Sequence, residues 1–245
     1  MIGWQRWLVA FALTGSSACL VEPNPDFTEA QASETGSSPS ECLPGTLDCD
    51  DEPGCEASSA DPLSCGSCDK RCMIGDQLLE CVVGLCVGTV TLTELEDAYT
   101  DRDAPDDAFG GEPVLRVDSR RDAYVKLPDL AEFAHVNLER IELTLPCSLA
   151  NGAVDINRLE MNWDELALTW NNAPNLVGGT LMSFESELGD NVIDLTDRVP
   201  GWPGGSTKHS LALRSKVEVG PSQDGIVFAS RESGAGPSLS ITSSW

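Results

Sequence analysis

The sequence predicts an all-β chain: an antiparallel, jelly-roll-like β-sandwich preceded by a small disulfide-rich module and a disordered tether. Three observations carry that expectation. From residue 88 onward apolar and polar residues alternate in short runs separated by Gly, Pro, Asn and Asp clusters. No long helical periodicity competes with them. Eight of the ten cysteines crowd between Cys42 and Cys86, a density that points to an oxidising compartment.

The divisions expected are 1–18, 19–41, 42–87 and 88–245. In the first, Arg6 is followed by a short apolar run, Trp7 to Gly15, and by small residues, Ser16, Ser17 and Ala18, before Cys19. That is the layout of an export signal, too short to span a bilayer. Cys19 follows the expected cut, where lipoprotein processing attaches a lipid. The surrounding residues resemble a bacterial lipobox, with Ser16 where Leu is usual. Residues 19–41 are acidic and rich in Pro, Ser, Thr and Gly, with Phe27 their one aromatic. Such a stretch buries too little apolar surface to offset its ordering entropy, so disorder is expected.

Residues 42–87 hold Cys42, Cys49, Cys55, Cys65, Cys68, Cys72, Cys81 and Cys86 among few apolar side chains. A core that small is marginal without crosslinks. Four disulfides would each stabilise it by roughly 2–4 kcal/mol. The alternative is a metal at Cys65-x2-Cys68-x3-Cys72. Export disfavours it, because exposed thiolates oxidise. The pairing stays open, since eight cysteines allow about 105 connectivities.

In the last division, strands are expected at 89–94, 114–118, 123–127, 140–145, 153–159, 165–170, 192–195, 210–214, 226–229 and 238–242. Many short strands with frequent turns fit a sandwich. Trp170 alternates in phase with Leu166 and Leu168 and is expected in the core; Trp163 and Trp202 have core packing as their first reading and exposed stacking on a ligand as the other. Arg231 and Glu232 are expected to pair, and Asp194 with Thr196 to cap a turn. Cys147 reads as a small buried side chain, with intermolecular pairing as the alternative. Asp101, Asp103, Asp106 and Asp107 form an acidic loop, solvated or calcium-binding.

Function classes narrow on charge and motif. The formal net charge is -25, with 40 acidic against 15 basic side chains. Nucleic acid is therefore not an expected partner, and a membrane is one only through an N-terminal lipid. No phosphate loop, dinucleotide fingerprint or nucleophile elbow occurs, and the two histidines, His135 and His209, lack metal spacing. No catalytic residue, cofactor or metal is assigned, and an enzyme is not expected.

Two resemblances add to this. Leu47-Asp48-Cys49-Asp50, Gly54-Cys55-Glu56, Ser64-Cys65-Gly66-Ser67-Cys68 and Cys81-Val82-Val83-Gly84-Leu85-Cys86 resemble a cysteine-rich repeat of myxobacterial surface proteins and lipoproteins. That likeness implies a stalk or spacer. From about residue 90, Asp97-Ala98-Tyr99, Tyr124-Val125-Lys126-Leu127, Trp163 with Glu165, Thr169-Trp170-Asn171-Asn172-Ala173-Pro174, Ile193-Asp194-Leu195-Thr196 and Phe228-Ala229-Ser230-Arg231-Glu232 follow in order. Together they resemble the DNRLRE domain, or carbohydrate-binding module family 96. The resemblance implies a β-sandwich that binds polysaccharide, acidic polysaccharide above all, at an extracellular surface. A non-catalytic structural or adhesive domain is the alternative. An acidic domain binding a polyanion needs a local basic patch or bridging cations. Arg116, Arg120, Arg121 and Lys126, close in sequence, are its candidates, with Arg140, Arg158, Arg214, Lys216 and Arg231 further along. The expected address is secreted: an outer-membrane or cell-surface lipoprotein. Mass spectrometry of the mature protein checks this directly: the chain should begin at Cys19 and carry a diacylglyceryl adduct.

Overall fold

The structure is a computed structural model, and it describes residues 42–50, 54–130, 133–159, 162–198, 209–220 and 223–245. Cys19 and Trp202 lie outside them, as do the expected signal and tether. The strands in chain order are β1 (Thr46–Leu47), β2 (Ala57–Ser58), β3 (Met73–Ile74), β4 (Gln77–Leu78), β5 (Glu80–Val82), β6 (Leu85–Leu92), β7 (Asp97–Asp101) and β8 (Val114–Val117). They continue with β9 (Arg121–Lys126), β10 (Asn137–Leu149), β11 (Ala153–Leu159), β12 (Leu176–Glu185), β13 (Gly189–Asp194), β14 (Ser210–Arg214), β15 (Ile226–Ala229) and β16 (Ser238–Ser244).

Two sheets make the sandwich. One runs β5-β6-β16-β10-β15-β8, with β13 also pairing β10; the other runs β12-β11-β14-β9-β7. Every strand pair among the described residues is antiparallel. The period-two pattern is the cause. In β10, Ile141, Leu143, Leu145 and Cys147 are buried, while Glu142, Thr144 and Pro146 lie between them on the other face. Val154 and Ile156 of β11 and Leu211 and Leu213 of β14 meet them from the second sheet, and Phe228 of β15 joins them from the first. Burying a side chain of that size stabilises by about 1.5–3 kcal/mol, so alternation over some ten strands outweighs any local preference.

Cys147 is buried and unpaired, at 7% exposure. Thr196 closes the expected turn after β13: its backbone N–H donates to Asp194 Oδ1 at 2.9 Å, and its hydroxyl accepts from Ile141 N–H at 3.0 Å.

Besides the short strands β1 to β5 of the cysteine-rich segment, two strands escaped the pattern. β7 is short, with Asp at both ends. β12 is an edge strand whose register shifts against β11 around Gly178-Gly179, and glycine weakens a strand pattern because it has no side chain to alternate. The expected strand at 165–170 does not form. That segment is a turn followed by a short 3-10 turn at Trp170–Asn172. Leu166 is 70% exposed, Leu168 is buried and Trp170 is half-buried, so Trp170 is not a core residue.

The eight clustered cysteines form four disulfides: Cys42–Cys55, Cys49–Cys68, Cys65–Cys81 and Cys72–Cys86. Each loop overlaps the next in sequence, so the crosslinks form a continuous chain. The last bond fastens that chain to the sandwich. β6 runs from Leu85 through Gly88 to Leu92 and pairs β16 over most of its length. Cys86 and Trp245 exchange both backbone hydrogen bonds, at 3.0 and 3.1 Å. Cys65, Cys72, Cys86, Ile74 and Leu79 belong to the same buried cluster as the sandwich core.

The Cys72–Cys86 crosslink spans 14 residues, and a loop of that size should contribute about 3 kcal/mol by constraining the unfolded chain. Replacing both cysteines with Ala should lower stability by about that amount in guanidinium unfolding followed by tryptophan fluorescence. A loss under about 1 kcal/mol would show that the sandwich does not need this clamp.

Candidate functional site

The inner face of the β12-β11-β14-β9-β7 sheet fills the core, so any site must lie at its outer face or at its ends. Ala98, Tyr124 and Ala212 of that outer face are buried beneath a flap, residues 162–174, through Trp163 and Leu168. Trp163 meets Tyr124 edge-on at 6.1 Å, and the Lys126 ammonium sits 4.9 Å from its ring centroid. Only 7% of Trp163 is exposed. Of the two readings of Trp163, core packing holds and the exposed stacking platform is corrected: the indole is spent on covering the sheet.

The flap keeps its shape through its own polar side chains. Leu166 N–H donates to Asp164 Oδ1 at 3.0 Å, and Thr169 N–H donates to Asn172 Oδ1 at 2.7 Å. Asn172 Nδ2 donates to the Ala167 carbonyl and Asn171 Nδ2 to Asp106 Oδ1, both at 2.8 Å. Asp and Asn side chains that satisfy nearby backbone groups compete with ladder pairing. This is why Leu166–Trp170 is no strand despite its alternation.

The flap is anchored by Glu165, which points inward. Its Oε1 accepts the Asp97 N–H at 2.8 Å and its Oε2 pairs with Arg231. Arg231 also reaches Glu232 Oε1 at 3.3 Å, and its backbone N–H donates to Asp97 Oδ2 at 2.8 Å. The expected Arg231–Glu232 pair therefore exists, but Glu165 is the closer partner. Burial pushes Asp97 up to about 6; the Arg231 N–H and Ser230 oppose that shift, and the neighbouring Glu232 and Glu165 carboxylates add to it. Burial also raises Glu165, against the Asp97 N–H and the Arg231 charge.

Beside the flap the outer face is open. A groove of about 390 Å3 is lined by Asp155 and Asn157 of β11, Gly178 to Thr180 of β12, and Arg214 to Lys216 at the end of β14. A second depression of about 370 Å3 shares Asp155, Ser215 and Lys216 with it, so the two adjoin as one channel. Asn157 donates to Thr180 at 3.3 Å, and Asp155 accepts from Ser183. Gly178 has φ +75°, and a side chain at Gly178 or Gly179 would meet nothing within 4 Å. The paired glycines leave the floor bare. Arg214 holds Asp122 at 3.0 Å. Asp122 is raised, because burial outweighs the Arg214 charge and hydrogen bond. Lys216 is exposed and, among the described residues, makes no ion pair.

The expected basic patch does not survive. Arg116 pairs with Asp224, Arg120 with Asp103 at 2.7 Å, Arg121 with Asp118 at 2.6 Å and Asp224 at 2.9 Å, and Lys126 with Glu96. Proximity in sequence grouped the first three, but the fold brings acids to them, Asp224 from 108 residues beyond Arg116. The Asp101–Asp107 loop spends carboxylates in the same way: Asp101 accepts the Asp103 N–H, Asp103 holds Arg120, and Asp106 takes Asn171.

With the fold and both candidate regions in place, the comparison with known families decides the class. The family described as carbohydrate-binding module family 96 matches residues 88–243. The chain belongs to that family. Among curated proteins none matches it. Modules of this kind bind carbohydrate and are generally non-catalytic, so a sugar-binding surface is the one to seek. In this module sequence reasoning had found Lys216 and Arg214 only as generic basic residues and had missed Asn157 and Thr180. The Gly178-Gly179 dipeptide inside a strand was the one signal that could have found the groove.

The flap depends on close backbone approach at Gly110. A Cβ there would lie 1.9 Å from the Glu165 carbonyl oxygen. Gly110→Ala should therefore push the flap off the sheet. The expected cost is about 1–3 kcal/mol, read as a lowered Tm with a red-shifted tryptophan emission as Trp163 becomes solvated.

Proposed function

We propose that this module binds an acidic extracellular or cell-envelope polysaccharide along the channel on its outer face, without cleaving it, and that a lipid at Cys19 holds the chain at the cell surface. The observation that carries the reading is the pair of adjoining grooves, where Lys216 is exposed and, among the described residues, makes no ion pair on a protein of net charge -25.

Several features support it. The two adjoining grooves, about 390 and 370 Å3, leave room for more than a single sugar. None of the residues lining it is aromatic, so its affinity must come from hydrogen bonds and charge rather than ring stacking. Asn157, Thr180 and Asp155 offer directional partners for hydroxyl groups. Lys216 and Arg214 offer cations for carboxylates or sulfates. An exposed pair of opposite charges in water is worth about 0–1 kcal/mol. Affinity per sugar is therefore low, and binding depends on several sugars engaging at once. Family membership supports a carbohydrate partner, and the disulfide-rich segment suits a domain held out from a surface.

Titration calorimetry of the mature chain with a polyuronate and with a neutral glucan tests this. Binding should favour the polyuronate, weaken as salt rises, and fall about tenfold or more in Lys216→Glu. That exposed substitution should leave Tm unchanged. Failure of both polymers to bind would overturn the proposal and return the chain to a structural surface role.

A further inference from the structure

The network that anchors the flap is unbalanced. Asp97, Glu165 and Glu232 each place one carboxylate oxygen so that all three lie within 4.8 Å of one another. Against three acids the network holds one base, Arg231. Asp97 is fully buried, at 0% exposure, and its Oδ1 is enclosed and accepts no hydrogen bond. The Ser230 hydroxyl lies close enough to oppose the rise at Asp97, but a hydroxyl has one proton, and Ser230 donates it to Glu232 Oε2. A buried carboxylate oxygen with no donor is costly. The loops nevertheless press inward: a Cβ at Gly110 would strike Glu165, and one at Gly236 would lie 2.3 Å from the Arg231 nitrogen.

We infer that Asp97, Glu165 and Glu232 form a binding site for a divalent hard cation, calcium by preference, which locks the flap to β7 and to the turn after β15. The ligand set is all oxygen, and hard cations select oxygen, whereas zinc prefers nitrogen and sulfur donors. Oxygens on opposite sides of a calcium ion at about 2.4 Å are separated by about 4.8 Å, so the observed span can accommodate one ion. One divalent ion with Arg231 balances the three carboxylates. Glu232 is partly exposed, with 24% of its side-chain surface open, which gives an entry path from solvent and room for water to complete the coordination shell. In the other acid-rich candidate, the Asp101–Asp107 loop, Asp101, Asp103 and Asp106 accept from protein donors, and no buried carboxylate oxygen is left without one.

The test uses the mature chain after treatment with chelator. Calorimetry with calcium chloride alone should show one site, and 1 mM calcium should raise Tm by several degrees; magnesium should act more weakly. Asp97→Asn keeps an acceptor for the Arg231 N–H and removes the charge. It should fold with a Tm at or above that of the chelated wild type and lose the calcium-induced shift. Glu232→Gln should weaken calcium binding at least tenfold. A double variant of the acidic loop, Asp103→Asn with Asp106→Asn, should keep the calcium response. No calcium binding at millimolar concentration, or a response kept in Asp97→Asn and lost in the loop variant, would overturn the assignment.

Discussion

The contact between Glu165 and Arg231 decides more of this molecule than any other. One residue belongs to the flap, the other to the turn after β15, and Asp97 of β7 joins them through two backbone hydrogen bonds. Without that anchor the flap has little to hold it. It contributes no ladder to either sheet, and apart from Asn171, which reaches Pro105 and Asp106, its other side-chain hydrogen bonds are local. With the anchor, Trp163 and Leu168 stay over Ala98, Tyr124 and Ala212, and the sheet's outer face divides into a covered part and an open part. The groove exists beside the flap because the flap stops where it does.

The same economy governs charge. The chain is strongly acidic, yet most of its described arginines are committed to acids within the fold. Arg116, Arg120 and Arg121 bind the loops around residues 101–103, 118 and 224. They act as crosslinks between connections, and this removes them from any ligand surface. What remains for recognition is small in number: Lys216 above all, in a channel that also holds Asp155 and the paired Arg214. A protein with so few available cations concentrates whatever affinity it has for a polyanion in one place.

The cysteine-rich segment and the sandwich illustrate two ways of making a core. The sandwich excludes water by alternating side chains across two sheets. The segment has too few apolar residues for that and relies on four overlapping crosslinks. They meet at β6, where Cys86 is at once a disulfide partner, a strand residue hydrogen-bonded to Trp245 and part of the common buried cluster. A pull on the crosslinked segment would therefore load the strand ladder directly.

The sequence by itself determined the class of the fold, most of its strands and the oxidised state of its cysteines. These are local or compositional properties: period-two alternation is visible within six residues, and eight crowded thiols are visible by counting. It also marked the Trp163–Pro174 stretch as special, but misread it as a strand, because Leu166, Leu168 and Trp170 alternate and the competing hydrogen bonds of Asp164 and Asn172 leave no period. The tertiary structure alone decided the disulfide partners, the burial of Trp163, the neutralisation of the basic run and the placing of the groove. Each depends on residues far apart in the chain: Asp97 meets Glu165 across 68 residues and Arg231 across 134. Which distant groups meet is set by strand order and register, and a linear pattern of side chains does not encode either one locally.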